Sequence, residues 1–383
     1  MIPAMGASRR EKGTGETPHL RPDGRWRARY VGSDRRRHAV YASTKRDCAA
    51  KRDAILREIG RGVFVAGADQ TVDQYLGRWL ADVKRMTLRP RSLERYVGLI
   101  RNYVSPRIGG IPLRRLTPQR IASLYADVSS EGQSPASVRY LHAVLHSALD
   151  QAMRWNLIAR NPVDAVEQPR KIRRELHTLS REQTQALLAS VAGDDLEALY
   201  VLAIATGMRQ GELLALRWKD IDWSGRRLSV RHTLTRLKGE WSLAEPKTQR
   251  SQRAIDLTDP TLATLRSHRV RQAETLLAIG HRVSDEDMVF SDAAGEPLHG
   301  RHITSRSFYP ILKRAGLPQV RFHDLRHTAA TLMLQLGIHP KVVSEMLGHS
   351  TITMTLDTYS HVLPTMQADA VRKLDDLLGR GAG

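Results

Sequence analysis

The chain has 383 residues, 41% of them hydrophobic, a single cysteine, and 60 Lys and Arg against 40 Asp and Glu, a formal net charge of +20. That length allows two or three domains with at least one sizeable core, while the lone Cys48 excludes an internal disulfide and a cysteine-built zinc module. No apolar run approaches the ~18–20 residues of a membrane span, and "MIPAMGASRREKGTGE" has no apolar h-region, so a soluble cytoplasmic chain without a secretory signal is expected.

The basic excess is densest over residues 1–62, where 16 basic side chains meet 7 acidic ones. Such a surface suits a polyanion, because counterions released from DNA or RNA drive binding. An arginine-rich surface kept only for solvation would give the same count. Residues 1–19 are small, polar and aperiodic and read as a disordered tail. Residues 20–62 form a compact unit. "GRWRARYV" alternates, with Trp26, Ala28 and Tyr30 on one face and Arg25, Arg27 and Arg29 on the other. "RRRHAVYAS" is a second strand, and Thr44 with Asp47 makes a capping box for a helix to about Ile59. An arginine ladder on an open sheet face suits the DNA major groove, or serves solubility alone.

Residues 63–70 read as a linker, and 71–166 as a helical bundle. Val72, Tyr75, Leu76, Trp79, Leu80 and Val83 line one stripe, and Leu93, Tyr96, Val97, Ile100 and Tyr103 a second. Thr117-Pro118 supplies N-cap and first turn of a third helix, and Pro135 opens a fourth to about Asn156. Two prolines and a basic run mark a second linker at 167–177. Residues 178–383 are α-rich with one β segment. Ser180 and Gln183 cap a helix, "DDLEALYVLAIATG" makes a buried one ending at Gly207, and "GELLALRW" resumes a helix. "RRLSVRHT" and "QRAIDL" read as strands on either side of "EPKTQRS". Helices return at about 261–281, 302–315, 323–337, 340–347 and 350–358. After Pro364, Met366, Ala370, Leu374, Leu377 and Leu378 fall near one stripe of a last helix, which could dock on a neighbouring copy or on its own domain.

The stretch "HDLRH" at 323–327 poses a chemical choice. His323 and His327, four apart around an acidic residue, resemble half of a zinc site with His349 as third ligand and Glu345 near it. Arg326 opposes a divalent ion one turn away, and Asp324 is shorter than the glutamate that zinc chemistry uses. Plain helical histidines satisfied by hydrogen bonds are the third reading. Elsewhere "ATGMRQGELLAL" places Arg209 between a glycine turn and a helix start, where guanidinium and helix amides can both face an anion. "EPKTQRS" presents Lys247 at a turn, "MLGHS" presents His349, and "DTYSHV" presents Tyr359. Two arginines, two histidines, a lysine and a tyrosine match a phosphodiester: arginine's fork binds two phosphate oxygens, histidine and lysine move protons, and a tyrosine hydroxyl can attack phosphorus. Of the tyrosines in the region, Tyr200 reads as core and Tyr309 as the end of a helix with no basic motif beside it.

These five motifs, in this order, resemble the catalytic domain of the tyrosine recombinases, the phage-integrase family. Residues 71–165 resemble that family's core-binding domain and, more loosely, 20–62 its arm-site-binding domain, as in integrases of actinobacterial temperate phages and integrative elements. The fold class that follows is α+β, mainly α with small β-sheets: a ββ(β)α arm-binding module, a helical core-binding bundle and a recombinase catalytic domain. By resemblance, Arg209 and Arg326 clamp the scissile phosphate, Lys247 protonates the leaving 5′-hydroxyl, and His323 is a general acid/base. His349 hydrogen-bonds the phosphate, and Tyr359 attacks to leave a 3′-phosphotyrosyl link. Asp324 and His327 are left with supporting roles. No metal or other cofactor is expected, because cationic side chains can carry the charge that a metal pair otherwise handles, and no Walker glycine loop for ATP is present. The implied partners are double-stranded attachment sites of core and arm type, three further copies in a synaptic tetramer, a host DNA-bending protein and an excision factor. The alternatives are a chromosome-dimer resolvase or other element-mobility recombinase, and a DNA-binding protein that does not cut.

Overall fold

A computed structural model describes residues 16–31, 37–60, 70–171, 177–237, 239–245, 252–359, 371–372 and 374–375, the side chains of 58–60 excepted. The chain divides into two compact units, Met1–Arg173 and Arg174–Gly383.

The first unit begins with a three-stranded antiparallel sheet in the order β1 (His19–Leu20), β2 (Trp26–Val31), β3 (Arg37–Ala42), backed by α1 (Lys45–Gly60). β1 was not among the predicted strands, and it starts within the predicted tail. Ala28, Ala42 and Cys48 form a small core beneath the sheet. The alternation of β2 is as read, with Ala28 and Tyr30 buried and Arg29 exposed. Arg25 precedes the strand, in a turn where Asp23 accepts from its guanidinium at 3.1 Å. Arg27 lies 2.9 Å from His19 Nε2, and Arg29 lies 3.8 Å from the Glu16 carboxylate. Each of the three thus has a neighbour within its own module, while Arg27 Nε is buried without a hydrogen-bond partner among the described residues. At the start of α1, Thr44 accepts from the Asp47 amide at 3.1 Å and donates to the Asp47 carboxylate at 2.8 Å, a closed hydroxyl–carboxylate loop instead of a reciprocal box.

The helical part of this unit opens on a capping box at Thr71 and Gln74, which satisfies two of the donors a helix start leaves unpaired. α2 (Val72–Trp79) passes through a π-turn at Leu80–Lys84 into α3 (Arg85–Thr87), and α4 (Pro90–Leu99) through one at Ile100–Val104 into α5 (Ser105–Ile108). α6 (Pro118–Ser130) is capped by Thr117 and α7 (Pro135–Arg154) by Ser134. The first stripe packs as read, with Val72, Tyr75, Leu76 and Trp79 buried and Leu80 and Val83 partly so. The second packs in part, with Ile100 buried and Tyr96 and Tyr103 partly so. Val97 is 41% exposed, while Val104 and Ile108 enter the core. Val97 lies in α4 before the π-turn, and the buried positions beyond it, Ile100, Val104 and Ile108, recur every four residues.

In the second unit α8 (Arg181–Ser190) has the Ser180–Gln183 capping box, and α9 (Glu197–Thr206) ends at Gly207, whose φ of +61° is the left-handed conformation that closes many helices. The helix predicted from "GELLALRW" is only α10 (Gln210–Leu213), because the next four apolar side chains are buried through an irregular turn and not along one face. The antiparallel sheet β4 (Ile221–Asp222), β5 (Arg227–Val230), β8 (Arg253–Asp256) contains both predicted strands. An unpredicted hairpin, β6 (Thr233–Leu237) with β7 (Glu240–Ala244), stands between them. Lys247 therefore follows β7, and it lies outside the described residues. α11 (Asp259–Leu277) follows, then α12 (Gly300–His302), a π-turn at Ile303–Phe308 and α13 (Tyr309–Arg314), so Tyr309 opens a helical segment instead of ending one. α14 (Asp324–Gln335), α15 (Pro340–Leu347) and α16 (Ile352–Tyr359) complete the unit. Most of the predicted helix after Pro364, with Met366, Ala370, Leu377 and Leu378, lies outside the described residues. α9 is the spine, packed by α11 and α14, with a core around Tyr200, Trp218, Phe290, Phe308 and Phe322. A separate apolar cluster joins α14, α15 and α16.

Candidate active site

Arg326 is the centre of the site. It sits on the first turn of α14, 4% exposed, and its Nη1 donates to the Gly207 carbonyl at 2.8 Å. Its Nη2 is buried without a hydrogen-bond partner among the described residues. A buried cation with an unused fork nitrogen is costly unless something anionic completes it. Burial, then the like charge of Arg209, pushes the guanidinium down to about 9, which still leaves it cationic at neutral pH.

Arg209 stands at the N-cap of α10 and is half-exposed. Its Nη1 donates to Glu212 Oε1 at 2.7 Å, and its backbone amide to Glu212 Oε2 at 3.0 Å. At the helix start expected to offer amides to an anion, the Arg209 amide is thus taken by a glutamate from its own turn. Glu212 Oε2 also accepts from Arg253 Nη2 at 2.9 Å, with both side chains buried. Arg253 Nε in turn reaches the Met346 carbonyl at 2.5 Å. Burial alone would raise the Glu212 pKa, but Arg253 and Arg209 outweigh it and hold the group ionised.

His323 is the residue before α14. Burial lowers its pKa first and Arg326 next. His349 follows Gly348, the left-handed cap of α15, and its Nδ1 lies 2.7 Å from Thr355 Oγ1. Burial, then Arg326 and Arg209, pushes His349 down to about 4, so it is neutral at physiological pH. Tyr359 ends α16 with its ring 1% exposed, packed among Ala329, Met333, Val343 and Leu347. Burial pushes its hydroxyl up to about 12, against the opposing charge of Arg326. Tyr359 thus lies within electrostatic reach of Arg326 of the same chain. Tyr200 is core as read, its hydroxyl 2.7 Å from Ser307 Oγ.

The family then follows from sequence. Residues 177–366 match the model of the phage integrase family, and 71–127 that of the phage integrase N-terminal SAM-like domain. A tyrosine recombinase XerC-like protein of Caldanaerobacter subterraneus is 31% identical over 360 residues, covering 89% of this chain and 92% of the relative. The chain belongs to the phage integrase family. It is accordingly a tyrosine-type site-specific recombinase. The ICEBs1 integrase of Bacillus subtilis is 28% identical over 292 residues, covering 76% of this chain and 79% of its own. The fold is that of the Tn1549 transposon integrase in complex with a circular intermediate DNA, at a TM-score of 0.68 and 23% identity over 80% of this chain and 99% of that one.

Of the six expected residues, five lie in this recombinase's described structure, and Arg209, His323, His349 and Tyr359 each fall within electrostatic reach of Arg326. Sequence reasoning missed Glu212 and Arg253. The signal for Glu212 was its i+3 position after Arg209 at a helix start, while that for Arg253 was only an arginine opening a strand. Within "HDLRH", Asp324 is gripped by Arg321 at 2.7 Å and 3.1 Å, and His327 Nδ1 lies 2.8 Å from the Tyr359 hydroxyl.

Proposed function

We propose that this recombinase is an integrase that cuts and rejoins double-stranded DNA at attachment sites through a 3′-phosphotyrosyl intermediate, integrating and excising a phage or mobile element. Arg209 and Arg326 hold the non-bridging oxygens of the scissile phosphate, where two fixed cations favour the pentavalent transition state over the substrate. Tyr359 attacks, Lys247 gives the 5′-oxygen its proton, His323 serves as acid/base, and His349 hydrogen-bonds the phosphate. Because the phosphotyrosyl link keeps the energy of the phosphodiester, a second 5′-hydroxyl can reseal the strand without ATP. The observation that carries this reading is Arg326: a buried guanidinium with an unpaired fork nitrogen, in the field of a second arginine and a buried tyrosine.

In this reading residues 20–62 contact arm-type sites through Arg25, Arg27 and Arg29, residues 71–166 grip the core site, and 178–383 cut. Four copies act together because two duplexes exchange four strands; a host bending protein and an excision factor assist, in the cytoplasm of a bacterial host. The XerC-like relative favours the second reading, a resolvase, and the N-terminal basic module favours the integrase. The test is a nicked core-site duplex from the junction of the element carrying the gene, incubated with EDTA. The chain should accumulate a covalent adduct on the 3′ side of the break, while Tyr359→Phe binds DNA with nearly unchanged affinity and forms none. An adduct that survives Tyr359→Phe would refute the assignment.

A further inference from the structure

Two histidines share the active-site end of α14, and they do not stand equally near the reacting oxygen. The rings of His323 and His327 meet edge to face, with centroids 5.2 Å apart. His327 Nδ1 lies 2.8 Å from the Tyr359 hydroxyl, with ring centroids 5.9 Å apart. His327 is thus the residue whose nitrogen touches the nucleophile. We propose that His327 Nδ1 is the base that takes the Tyr359 proton as the tyrosine attacks phosphorus. The inference rests on Tyr359 being the nucleophile.

The step balances. An oxygen lone pair of Tyr359 forms the bond to phosphorus, and the phenolic proton passes to Nδ1, leaving an imidazolium. The bond from phosphorus to the 5′-oxygen breaks with its electron pair on that oxygen, which takes a proton from the acid on the far side of the phosphate. On religation the 5′-hydroxyl attacks the phosphotyrosine, and the imidazolium returns its proton to the departing phenolate. The cycle needs no outside oxidant, reductant or net proton.

The surroundings suit the role. His327 is faced by Asp324 and Arg326 on its own helix, by His323 and Arg321 just before it, by Tyr359 from α16, and by His349. Burial first, then His323, pushes it down to about 4. At neutral pH the ring is therefore uncharged, and in the tautomer with its proton on Nε2 the Nδ1 lone pair points to the hydroxyl. A scissile phosphate beside Arg326 brings the negative charge that offsets the cations depressing the ring, so basicity recovers when substrate is bound. The need is large: with the hydroxyl pushed up to about 12, only about one phenol in 10⁵ is ionised at pH 7.

The experiment measures single-turnover adduct formation by the full chain on the junction-derived core duplex, with either an ordinary or a 5′-bridging phosphorothiolate scissile phosphate. His327→Asn places an amide oxygen near Nδ1, able to accept the hydrogen bond but not the proton; His327→Ala removes both. Both variants should bind the duplex within about twofold of wild type and form adduct about 10²–10³-fold more slowly, the usual contribution of a general base. The defect should persist on the phosphorothiolate, whose sulfur leaves without a proton, while Lys247→Ala is rescued there. The Ala variant should also speed up about tenfold per pH unit from 7 to 9, as free phenolate takes over, where wild type is nearly flat. A wild-type rate for His327→Asn would reduce His327 to a positioning role and overturn the proposal, as would rescue of either variant by the phosphorothiolate or an unchanged His327→Ala. Adduct formation by Tyr359→Phe instead overturns the nucleophile assignment itself. Loss with Tyr359→Phe but not with the His327 variants overturns only this inference.

Discussion

Replacing Glu212 by Gln keeps the shape of the side chain and removes its charge, which isolates what that charge does. The carboxylate is 4% exposed and accepts from Arg209 Nη1, the Arg209 amide and Arg253 Nη2. Arg253's side chain is itself 6% exposed. Removing one partner of a buried ion pair costs about 3–5 kcal/mol, because the other is left desolvated and unpaired. Gln can still accept one of these bonds through its amide oxygen, so the lower end, about 3 kcal/mol, applies. For a folding unit of roughly 200 residues, about 1 kcal/mol shifts the midpoint by about 2–4 °C, so a fall of about 6–12 °C is expected. Differential scanning calorimetry of the full chain would read it as a shift of one transition. Adding Arg253→Met removes the buried cation that Glu212 faces, so the double variant should lose less than the sum of the two singles. Core-site DNA should raise the midpoint of Glu212→Gln more than that of wild type, since its phosphate supplies the missing negative charge among Arg209, Arg253 and Arg326. A shift of about 1 °C or less, or strict additivity in the double variant, would show that Glu212 does not neutralise the cluster.

Gly207→Ala should destabilise by about 1–3 kcal/mol and slow adduct formation. Its φ is +61°, an added Cβ would lie 2.5 Å from Leu347 Cδ2, and its carbonyl holds Arg326; thermal melts and adduct assays check both effects. Val104→Asp should unfold the helical part of the first unit, and Val97→Asp should stay within about 0.5 kcal/mol of wild type. The reverse order in urea titrations would restore the uninterrupted stripe. Stability should be full above the ordinary histidine pKa and fall as pH drops from about 6.5 toward 4. His327 and His349 are both pushed down to about 4, so the unfolded chain binds more protons across that window. His349→Gln should remove about one proton from the linked uptake, read from midpoint temperature against pH.

Short-range rules were legible in the residues alone. The capping box at Ser180, the prolines that open α6 and α7, the left-handed Gly207 and the alternation of β2 each depend on neighbours within four positions. The chemistry was legible too, because an ordered set of arginines, histidines and a tyrosine can be read without knowing where the helices go. Period-based reading was incomplete in the second stripe, where Val97 is exposed and the buried face runs on through Val104 and Ile108. It also failed at β6 and β7, where hairpin pairing, not an apolar stripe, holds the strands. The contacts around the candidate site were decided only by the tertiary fold. Glu212 and Arg253 are 41 positions apart, and His327 and Tyr359 are 32 apart. Such distances carry no period, so spacing alone made His327 half of a metal site or an idle helical histidine. Where α16 docks on α14 decides between them, because that packing places a phenol against Nδ1.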